Sequence, residues 1–411
     1  MTVTKMSKWT TQRLEEIIQV NPTVKLTKGK VYPFIDIDKV SPSLRSVTNE
    51  EAKVYDGQSC SKFCNGDTVF SRITPCLENR KIAKVSIDGQ TAFGSTEFYI
   101  FRAKEGKSDE DFVYYLTSSD AVVLPAINSM TGASGRQRAD RRFIERTKLN
   151  VPDLPTQKRI ADILSAYDDL IENNNQRIAL LEKAAQELYK EWFVRFRFPG
   201  HETAKFENGL PYGWDVVKLG DYVDIKGGKR LPEGKTLYSE ATEHPYIRIR
   251  DITASKYISL TNSFEYIDSE TFNIIRRFTV NTNDILISIV GTIGAVACVA
   301  KSLNGANLTE NCVKLVNLHH FTSSYLYHFL NSETGKGAVQ AGTVGATQPK
   351  LPLYNIKRIK LLKPNVEIIS AFTQTIESID QEIMTLTDKN RNLVKQRDLL
   401  LPRLMSGKLE V

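Results

Sequence analysis

Cationic side chains cluster with glycines and polar residues in the second half of the sequence, which suits the binding of a polyanion. Residues 226–230 read Lys-Gly-Gly-Lys-Arg and follow a strand expected at Val223–Ile225. Glycine lets a backbone approach a ligand closely, and Lys and Arg donate hydrogen bonds to phosphates or to guanine. The pattern predicts contacts with nucleic acid. The candidates in this half are Lys226, Gly227, Gly228, Lys229, Arg230, Arg248, Arg250, Arg276, Arg277, Gln348 and Lys350.

Two of these arginines alternate with apolar residues. Arg248 and Arg250 are interleaved with Ile247 and Ile249. Because successive side chains of a strand point to opposite faces, the alternation predicts a β-strand with both arginines on one face. Gln348 and Lys350 are expected in the loop before the last strand.

The first half carries a second set of cations, five of them arginines within residues 136–146. Affinity for DNA comes from cations on phosphates, and sequence reading comes from side chains that reach base edges. Any single cation is more often a solvated surface charge, and that alternative stays open for each one. The candidates are Arg45, Arg72, Lys81, Lys84, Arg136, Arg138, Arg141 and Arg142.

Signatures of catalysis are missing. Gly234-Lys235-Thr236 would need a glycine five positions before Gly234 to form a phosphate-binding loop, and Lys229 stands there. The five histidines make no metal pair at helical spacing, and the five cysteines lack disulfide or zinc-finger spacing. The sequence therefore predicts a non-catalytic chain with reduced thiols and with no metal or cofactor of its own.

Length and composition predict a globular protein of two domains. The chain has 411 residues, of which 41% are hydrophobic and 25% charged, so disordered and collagen-like classes are excluded. A net charge of +7 favours an anionic partner. Residues 1–10 contain no apolar run, so no signal peptide is expected, and we expect a cytoplasmic protein. The uncharged residues 285–300 are too few to span a membrane and predict two buried strands around a glycine turn.

Three blocks of sequence recur in the same order in both halves. Trp9 and Leu14 match Trp214 and Leu219, and residues 66–71 match residues 283–288. The longest block places residues 136–193 over residues 348–405 at a constant offset of 212. A period of this length is too long for a solenoid and predicts two similar domains related by a pseudo-twofold axis.

Each copy of the long block contains a helical pattern with apolar residues at alternating steps of four and three, as in a coiled coil. A helix from residue 160 to 193 would be about 50 Å long. We expect Pro199-Gly200 to end the first helix and Pro402 to kink or end the second. The seam residues of the first helix are Ile160, Leu164, Ile171, Asn174, Leu181 and Leu188, and those of the second are Phe372, Ile379, Ile383, Asn390, Leu393 and Leu400.

One asparagine interrupts each seam. Asn174 lies 14 residues after Ile160, and Asn390 lies 18 residues after Phe372. In an antiparallel pair of 32-residue seams with level ends, these two asparagines face each other. A hydrogen-bonded pair would fix the register at some cost in stability. The alternative is that each asparagine lies at the solvent edge of its seam.

Several segments resemble the specificity subunits of type I restriction–modification systems. Residues 152–160 (Pro-Asp-Leu-Pro-Thr-Gln-Lys-Arg-Ile), 167–174 and 190–196 resemble the central conserved region of that family. Residues 397–409 resemble its C-terminal conserved region. Residues 209–214 (Gly-Leu-Pro-Tyr-Gly-Trp) resemble the start of its second target recognition domain, and residues 73–79 recur in many first domains.

The resemblance implies a DNA-binding role without catalysis. Each target recognition domain would read one half of a bipartite sequence in double-stranded DNA, and the paired helices would set the gap between the halves. Two methyltransferase subunits, which use S-adenosylmethionine to methylate adenine, would dock on the helices. Two restriction subunits, which use ATP and Mg, would add cleavage. The resemblance implies no association with a membrane.

The expected fold class is α+β, with two β-rich recognition domains joined by two long antiparallel coiled-coil helices. The expected segments are residues 1–154 and 199–363 for the recognition domains, and 155–198 and 364–411 for the helices. Two alternatives remain open. One is a standalone methyltransferase or nuclease, which the missing motifs disfavour. The other is a protein-only scaffold, which salt-dependent binding to duplex DNA would exclude.

Overall fold

The computed structural model describes residues 9–48, 51–252, 255–261 and 263–411. Of the first ten residues, on which the expectation of no signal peptide rests, residues 1–8 lie outside the described part. The chain divides into two compact units. Unit 1 comprises Met1–Gln176 and Thr387–Val411, and unit 2 comprises Arg177–Leu386. Both units contain part of each long helix.

Unit 1 contains a five-stranded, a four-stranded and a two-stranded sheet. Their strand orders are β2-β10-β7-β8-β4, β5-β3-β9-β6 and β1-β11. The elements are β1 (Trp9–Arg13), α1 (Leu14–Ile17), β2 (Ile18–Val20), β3 (Val31–Ile35), β4 (Ser46–Val47), β5 (Glu51–Val54), β6 (Ser61–Cys64), β7 (Thr68–Ser71), β8 (Ile82–Val85), β9 (Thr91–Gly94), β10 (Phe98–Ala103), α2 (Glu110–Ser118), α3 (Asp120–Asn128), α4 (Arg141–Arg146), β11 (Lys148–Pro152) and α5 (Leu154–Phe193), which continues into unit 2.

Unit 2 contains the sheets β15-β22-β19-β20-β17, β18-β16-β21, β14-β23 and β12-β13. Its elements are β12 (Phe206–Glu207), β13 (Leu210–Pro211), β14 (Asp215–Lys218), β15 (Asp224–Gly227), β16 (Pro245–Ile247), β17 (Tyr257–Ile258), β18 (Glu265–Tyr266), α6 (Ser269–Ile275), β19 (Ile285–Ser288), β20 (Val296–Val299), β21 (Asn307–Leu308), β22 (Cys312–Val316), α7 (Ser323–Asn331), α8 (Glu333–Gly342), α9 (Leu353–Lys357), β23 (Lys360–Lys363) and α10 (Val366–Met405), which continues into unit 1. Short 3-10 helices cover His201–Thr203, Leu219–Asp221, Ile249–Asp251, Arg276–Phe278 and Lys301–Leu303.

The two units repeat one topology. In both five-stranded sheets the first four strands pair antiparallel and the edge strand pairs parallel, β4 with β8 and β17 with β20. In the second sheets, β3 and β16 each pair antiparallel with one neighbour and parallel with the other. The two-stranded sheets β1-β11 and β14-β23 also correspond. The predicted internal duplication and the α+β class are confirmed.

The predicted strands around a glycine turn are also present. β19 and β20 are buried along their whole length. Between them, Gly291 and Gly294 adopt positive φ angles of 73° and 83°. The connection is short because the two strands pair antiparallel in one sheet.

The long helices differ from the sequence expectation at their ends. α5 ends at Phe193, before Pro199-Gly200, because the amides of Val194 and Arg195 both bond to the carbonyl of Lys190 and Phe196 takes a positive φ of 56°. α10 includes Pro402 and continues to Met405. Proline has no amide hydrogen, so the bond that residue 402 would donate to the carbonyl of residue 398 is absent from this last part of the helix.

Within each unit the two helices run antiparallel. In unit 1, Ile160 and Leu164 of α5 share a buried cluster with Leu404 near the C-terminal end of α10. In unit 2, Trp192 near the end of α5 packs edge-on against Phe372 near the start of α10, with ring centroids 5.8 Å apart. The predicted antiparallel pairing is therefore present in both units.

The asparagines of the two seams meet. Nδ2 of Asn174 donates to Oδ1 of Asn390 at 2.8 Å, and Nδ2 of Asn390 donates to Oδ1 of Asn175 at 2.8 Å. Asn174 is 8% exposed. The solvent-edge alternative is therefore wrong for Asn174, because its amide is buried and hydrogen-bonded across the helix pair.

The other predicted seam residues are either buried or partly buried. Ile160, Leu164, Ile171, Phe372 and Ile383 are buried. Leu181, Leu188, Ile379, Leu393 and Leu400 are partly buried. Among the described residues, no helix is both long enough and apolar enough to cross a membrane.

Candidate nucleic-acid interface

Each unit presents one exposed loop at the same place in its fold. The loop of residues 131–138 follows α3 in unit 1, and the loop of residues 344–350 follows α8 in unit 2. Arg138 forms β-bridges to both Ile73 and Thr131, and Lys350 forms β-bridges to both Val290 and Val344. The constant offset of 212 in the sequence places Arg138 on Lys350. The two loops are therefore structural equivalents, and each is closed by a cationic residue.

Backbone hydrogen bonds hold both loops in the same way. Arg138 exchanges two backbone bonds with Thr131, at 2.9 and 3.1 Å, and Lys350 exchanges two with Val344, at 2.8 and 2.9 Å. In the second loop, a Cβ on Gly345 would lie 2.8 Å from the carbonyl oxygen of Gln348, and Gly345 has a φ of +96°. Only glycine fits that position without strain.

The loops leave polar and cationic side chains in solvent. Arg136 and Arg138 are exposed in the first loop, and Gln348 and Lys350 are exposed in the second. The backbone hydrogen bonds fix the Cα positions of the loop residues, while the exposed ends of the side chains are free to contact a ligand. Such an arrangement suits contacts to phosphates and base edges in a groove of DNA.

Two arginines of unit 1 share one glutamate. Arg138 donates to Glu97 through Nε at 2.9 Å and Nη2 at 2.6 Å, and Arg72 donates through Nε at 3.2 Å. The hydrogen bonds from Arg138, with those from Arg72, hold the pKa of Glu97 below its usual value. The group carries two positive charges and one negative charge, so it stays cationic while its guanidinium groups are held in place.

Unit 2 contains the same combination with different residues. Nη2 of Arg248 lies 2.6 Å from Oε2 of Glu265, and Nη2 of Arg250 lies 3.2 Å from the same oxygen. The predicted strand that would carry both arginines is wrong, because β16 ends at Ile247 and residues 249–251 form a 3-10 helix. The amide of Arg248 donates to Asp251 at 2.7 Å and starts that turn. The two guanidinium groups nevertheless reach one carboxylate.

The glycine-rich cluster of residues 226–230 packs partly against its own unit. Gly227 ends β15, and a Cβ on Gly228 would lie 2.0 Å from the carbonyl oxygen of Thr309. Gly228 is therefore required by close packing within unit 2. Lys226 and Lys229 are exposed, and Arg230 pairs with Glu310 at 2.8 Å.

Arg45, a candidate DNA contact, is engaged by carboxylates of its own unit. Its Nη2 donates to Asp169 of α5 at 2.8 Å, and its Nη1 lies 3.5 Å from Asp111. Lys84 bonds to the same Asp111 at 2.8 Å. These two cations are held inside unit 1 by carboxylates, where they would reach DNA only by breaking those bonds.

The remaining predicted cations lie on other parts of their units. Lys81 donates to the carbonyl of Ile37 at 2.9 Å. Arg141 donates to Glu145 at 2.7 Å, and Arg142 lies beside it on α4 with an exposed side chain. Arg276 and Arg277 are exposed on a 3-10 helix of unit 2.

The sequence reasoning missed Glu97 and Glu265, the acidic partners of the arginine pairs. No spacing pattern points to them, since Glu97 lies 25 and 41 residues from its two arginines. The equivalence of the two loops did carry a signal. Gly132-Ala133-Ser134 and Gly345-Ala346-Thr347 repeat three similar residues at an offset of 213.

Across the described ranges, no group of three or more His, Cys, Asp or Glu residues is arranged to hold a metal ion. The five cysteines are free thiols. Burial raises the pKa of the Cys298 thiol and of the Cys312 thiol to about 12.

Comparison with known proteins gives matches over nearly the whole chain. Residues 6–183 and 211–396 each match the model of the type I restriction modification DNA specificity domain. The MjaIX specificity subunit of a type I restriction enzyme from Methanocaldococcus jannaschii is 25% identical over 84% of this chain and 79% of its own length. The MjaVIII specificity subunit from the same organism is 27% identical over 96% of this chain and 93% of its own.

One solved structure supports the fold. The S subunit of a type I restriction–modification system from M. genitalium is 14% identical, with a TM-score of 0.53 over 98% of both chains. At this identity the likeness concerns the fold alone.

Proposed function

The chain belongs to the family of type I restriction modification DNA specificity domains, and we propose that each of its two units reads one half of a bipartite sequence in double-stranded DNA. The chain is a non-catalytic recognition subunit of a type I restriction–modification complex, as its family and its relatives indicate. The specificity-subunit family is not a family of cofactor-binding proteins.

The equivalent exposed loops carry this proposal. Two units of one topology each hold a cationic residue, Arg138 or Lys350, at the same bridged position of an exposed loop. Their neighbours differ, with Arg136 in one loop and Gln348 in the other. A shared scaffold with different side chains at matching positions is what two readers of different half-sequences require.

The side chains available suit particular bases. Arginine donates two hydrogen bonds to guanine, and glutamine pairs with adenine through one donor and one acceptor. We assign direct reading to the loops 131–138 and 344–350. The arginine pairs on Glu97 and Glu265, with Lys226 and Lys229, would supply contacts to phosphates.

Partner subunits would supply the chemistry. We propose that the exposed faces of α5 and α10 dock two methyltransferase subunits that transfer a methyl group from S-adenosylmethionine to adenine. Two restriction subunits, which use ATP and Mg, would complete the complex. The proposed segments are recognition domains at residues 1–154 and 199–363 and helical spacers at residues 155–198 and 364–411, with the spacers setting the gap between half-sites.

The test maps methylated adenines in genomic DNA from cells that carry the methyltransferase with this chain and from cells that carry the methyltransferase alone. We expect a bipartite motif with a fixed gap that disappears without this chain. A second arm exchanges residues 344–350 for a loop of different sequence. We expect one half of the motif to change and the other half to remain.

Two results would contradict the proposal. One is a methylation pattern that is the same with and without the chain. The other is a single uninterrupted motif. Binding of the complex to duplex DNA that does not weaken as salt is raised would favour a protein-only scaffold.

A further inference from the structure

A buried lysine connects the recognition sheet of unit 2 to the long helices. Lys256 is 2% exposed and directly precedes β17, the edge strand of the five-stranded sheet. Its Nζ donates to Asp380 of α10 at 2.5 Å and to Ser324 at 3.2 Å. The hydroxyl of Tyr257 donates to the same oxygen of Asp380 at 3.1 Å.

Unit 1 has an arginine in the equivalent place. Arg45 directly precedes β4, the edge strand of the corresponding sheet. The carbonyl of Arg45 accepts the amide of Lys84 at 2.8 Å, as the carbonyl of Lys256 accepts the amide of Cys298 at 2.7 Å. Nη2 of Arg45 donates to Asp169 of α5 at 2.8 Å.

The acidic partners are equivalent as well. Asp168 lies 212 residues before Asp380, which is the offset that aligns the two halves. In unit 1 the hydroxyl of Tyr115 donates to Asp168 at 2.5 Å, and Arg397 of α10 also binds it. The arginine of the sheet edge therefore takes the next carboxylate, Asp169. Both units hold the same edge strand to a long helix by one cation–carboxylate pair.

Stability alone does not account for the buried Lys256–Asp380 pair. Removing two charges from water costs several kcal/mol per ion, and apolar residues of similar volume often give an equal or more stable fold. An ion pair differs from apolar packing in being directional, since hydrogen bonds fix distance and angle while hydrophobic contact does not. The pairs are thus suited to fixing the orientation of a sheet on a helix.

We infer that Arg45–Asp169 and Lys256–Asp380 are positioning contacts that hold each recognition sheet in one orientation on the long helices, so that the chain accepts its half-sites only at the native gap. This inference rests on the proposed function. A sheet that can pivot on apolar packing would present its reading loop over a wider range of positions, while the loop itself would still read the same bases.

The decisive variant replaces the unit 2 pair by apolar residues, Lys256→Met with Asp380→Leu. The matched control is Lys235→Met with Glu270→Leu, which removes another lysine–carboxylate pair of unit 2, 2.6 Å apart, that does not involve the long helices. Each complex is tested by mapping methylated adenines in genomic DNA, with thermal unfolding measured in parallel.

We expect the variant with the apolar pair to have a melting temperature equal to or higher than that of the wild type. Methylation at sites whose gap is one base pair longer or shorter should rise about tenfold relative to native-gap sites. The half-sequences should stay the same, and the control should behave as wild type. An unchanged gap preference in the folded variant would overturn the inference, as would an equal change in the control.

A second variant covers the case in which the unit 2 substitutions prevent folding. Arg45→Met with Asp169→Leu removes the unit 1 pair, whose aspartate side chain is 60% exposed, so the cost to folding is smaller. The same rise in shifted-gap methylation is expected, and its absence would overturn the inference. If the wild-type complex itself shows no fixed gap, the proposed function fails instead.

Discussion

The shared glutamates determine how the arginines of each unit meet a ligand. Glu97 accepts from the Nε and Nη2 donors of Arg138, so the guanidinium group is already oriented in the free chain. Orienting the group in advance lowers the conformational entropy lost on binding. The remaining donors are available for a phosphate or a base. Arg248 and Arg250 approach Glu265 only as ion pairs, at 2.6 and 3.2 Å, so their guanidinium groups are less firmly oriented.

At the residue scale, Arg138→Ala should weaken recognition of one half-site by about 1–3 kcal/mol, the range for one good contact to a base. The control is Lys107→Ala, which removes the same charge from an exposed position of unit 1 outside the long helices. Binding of the complex to duplexes that carry the motif, measured across a range of salt concentrations, distinguishes the two variants. Equal affinity for both would show that Arg138 does not contact DNA.

A buried histidine gives a second prediction at this scale. Burial, together with the charge of Lys256, lowers the pKa of His328 to about 3. In the unfolded chain the group titrates near 6.5, so between these values the unfolded state binds a proton that the folded state does not. Stability should therefore fall as the pH drops below about 6.5, by up to about 1.4 kcal/mol per pH unit.

The check compares wild type with His328→Gln, which retains a hydrogen-bonding side chain. His328 lies beside the charged groups of Lys256, Glu182, Asp380 and Lys336. Burial raises the pKa of Glu182, which changes the pH dependence in the opposite direction, but both proteins contain that group. Denaturant unfolding at pH 7 and pH 5 should show a smaller loss for the variant. An equal loss would rule out His328 as the cause.

At the scale of elements, the periodic spacing of apolar residues correctly predicted the two long helices and their pairing. Apolar residues spaced alternately four and three positions apart located both long helices. An antiparallel pairing with the seam ends aligned placed Asn174 opposite Asn390. Arg248 and Arg250 show the limit of such patterns. Their alternation with isoleucines is compatible with a strand, but the side chain of Asp251 accepts the amide of Arg248 and starts a 3-10 turn. That competition between local hydrogen bonds has no periodic signature.

Replacing both seam asparagines, Asn174→Leu with Asn390→Leu, should raise the melting temperature. The amide of Asn174 is buried and that of Asn390 is partly buried, and leucine at both positions removes polar groups from the seam. A shift of about 2–4 °C is expected for each kcal/mol gained. Calorimetry measures it, and Leu393→Ile serves as a control of similar volume. A lower melting temperature would mean that the pair stabilises the helices and does more than set their register.

At the scale of the whole molecule, unit 1 is built from segments far apart in the sequence. Leu404 is fully buried in the same cluster as Ile160 and Leu164, and Arg397 binds Asp168. The repeat itself was predictable from the offset of 212, but this division was not. The division follows from the two long helices, each of which contributes residues to both units. Domain boundaries drawn along the sequence assign each helix to a single segment, so they do not reveal such a division.

Removal of residues 397–411 should therefore destabilise unit 1 more than unit 2. The deletion exposes the apolar surface around Ile160 and leaves Asp168 without Arg397, and an uncompensated buried charge is costly. Hydrogen exchange read by mass spectrometry reports the two units separately. Faster exchange in β7 and β10 with unchanged exchange in β19 and β22 is expected. Equal acceleration in all four strands would contradict the division into units.

Lengthening both helices tests the proposed spacer role. A seven-residue insertion after Gln176, matched by a seven-residue insertion after Leu386, adds one full heptad to each helix and preserves the seam. Seven residues add about 10.5 Å of helix, close to three base pairs of B-DNA at about 3.4 Å each. We expect the mapped methylation motif to keep both half-sequences while its gap grows by about three base pairs.

An insertion in one helix alone is the control, because the two seams then differ in length by one heptad, which should impair assembly. Changed half-sequences with an unchanged gap would assign the helices to base reading and not to spacing.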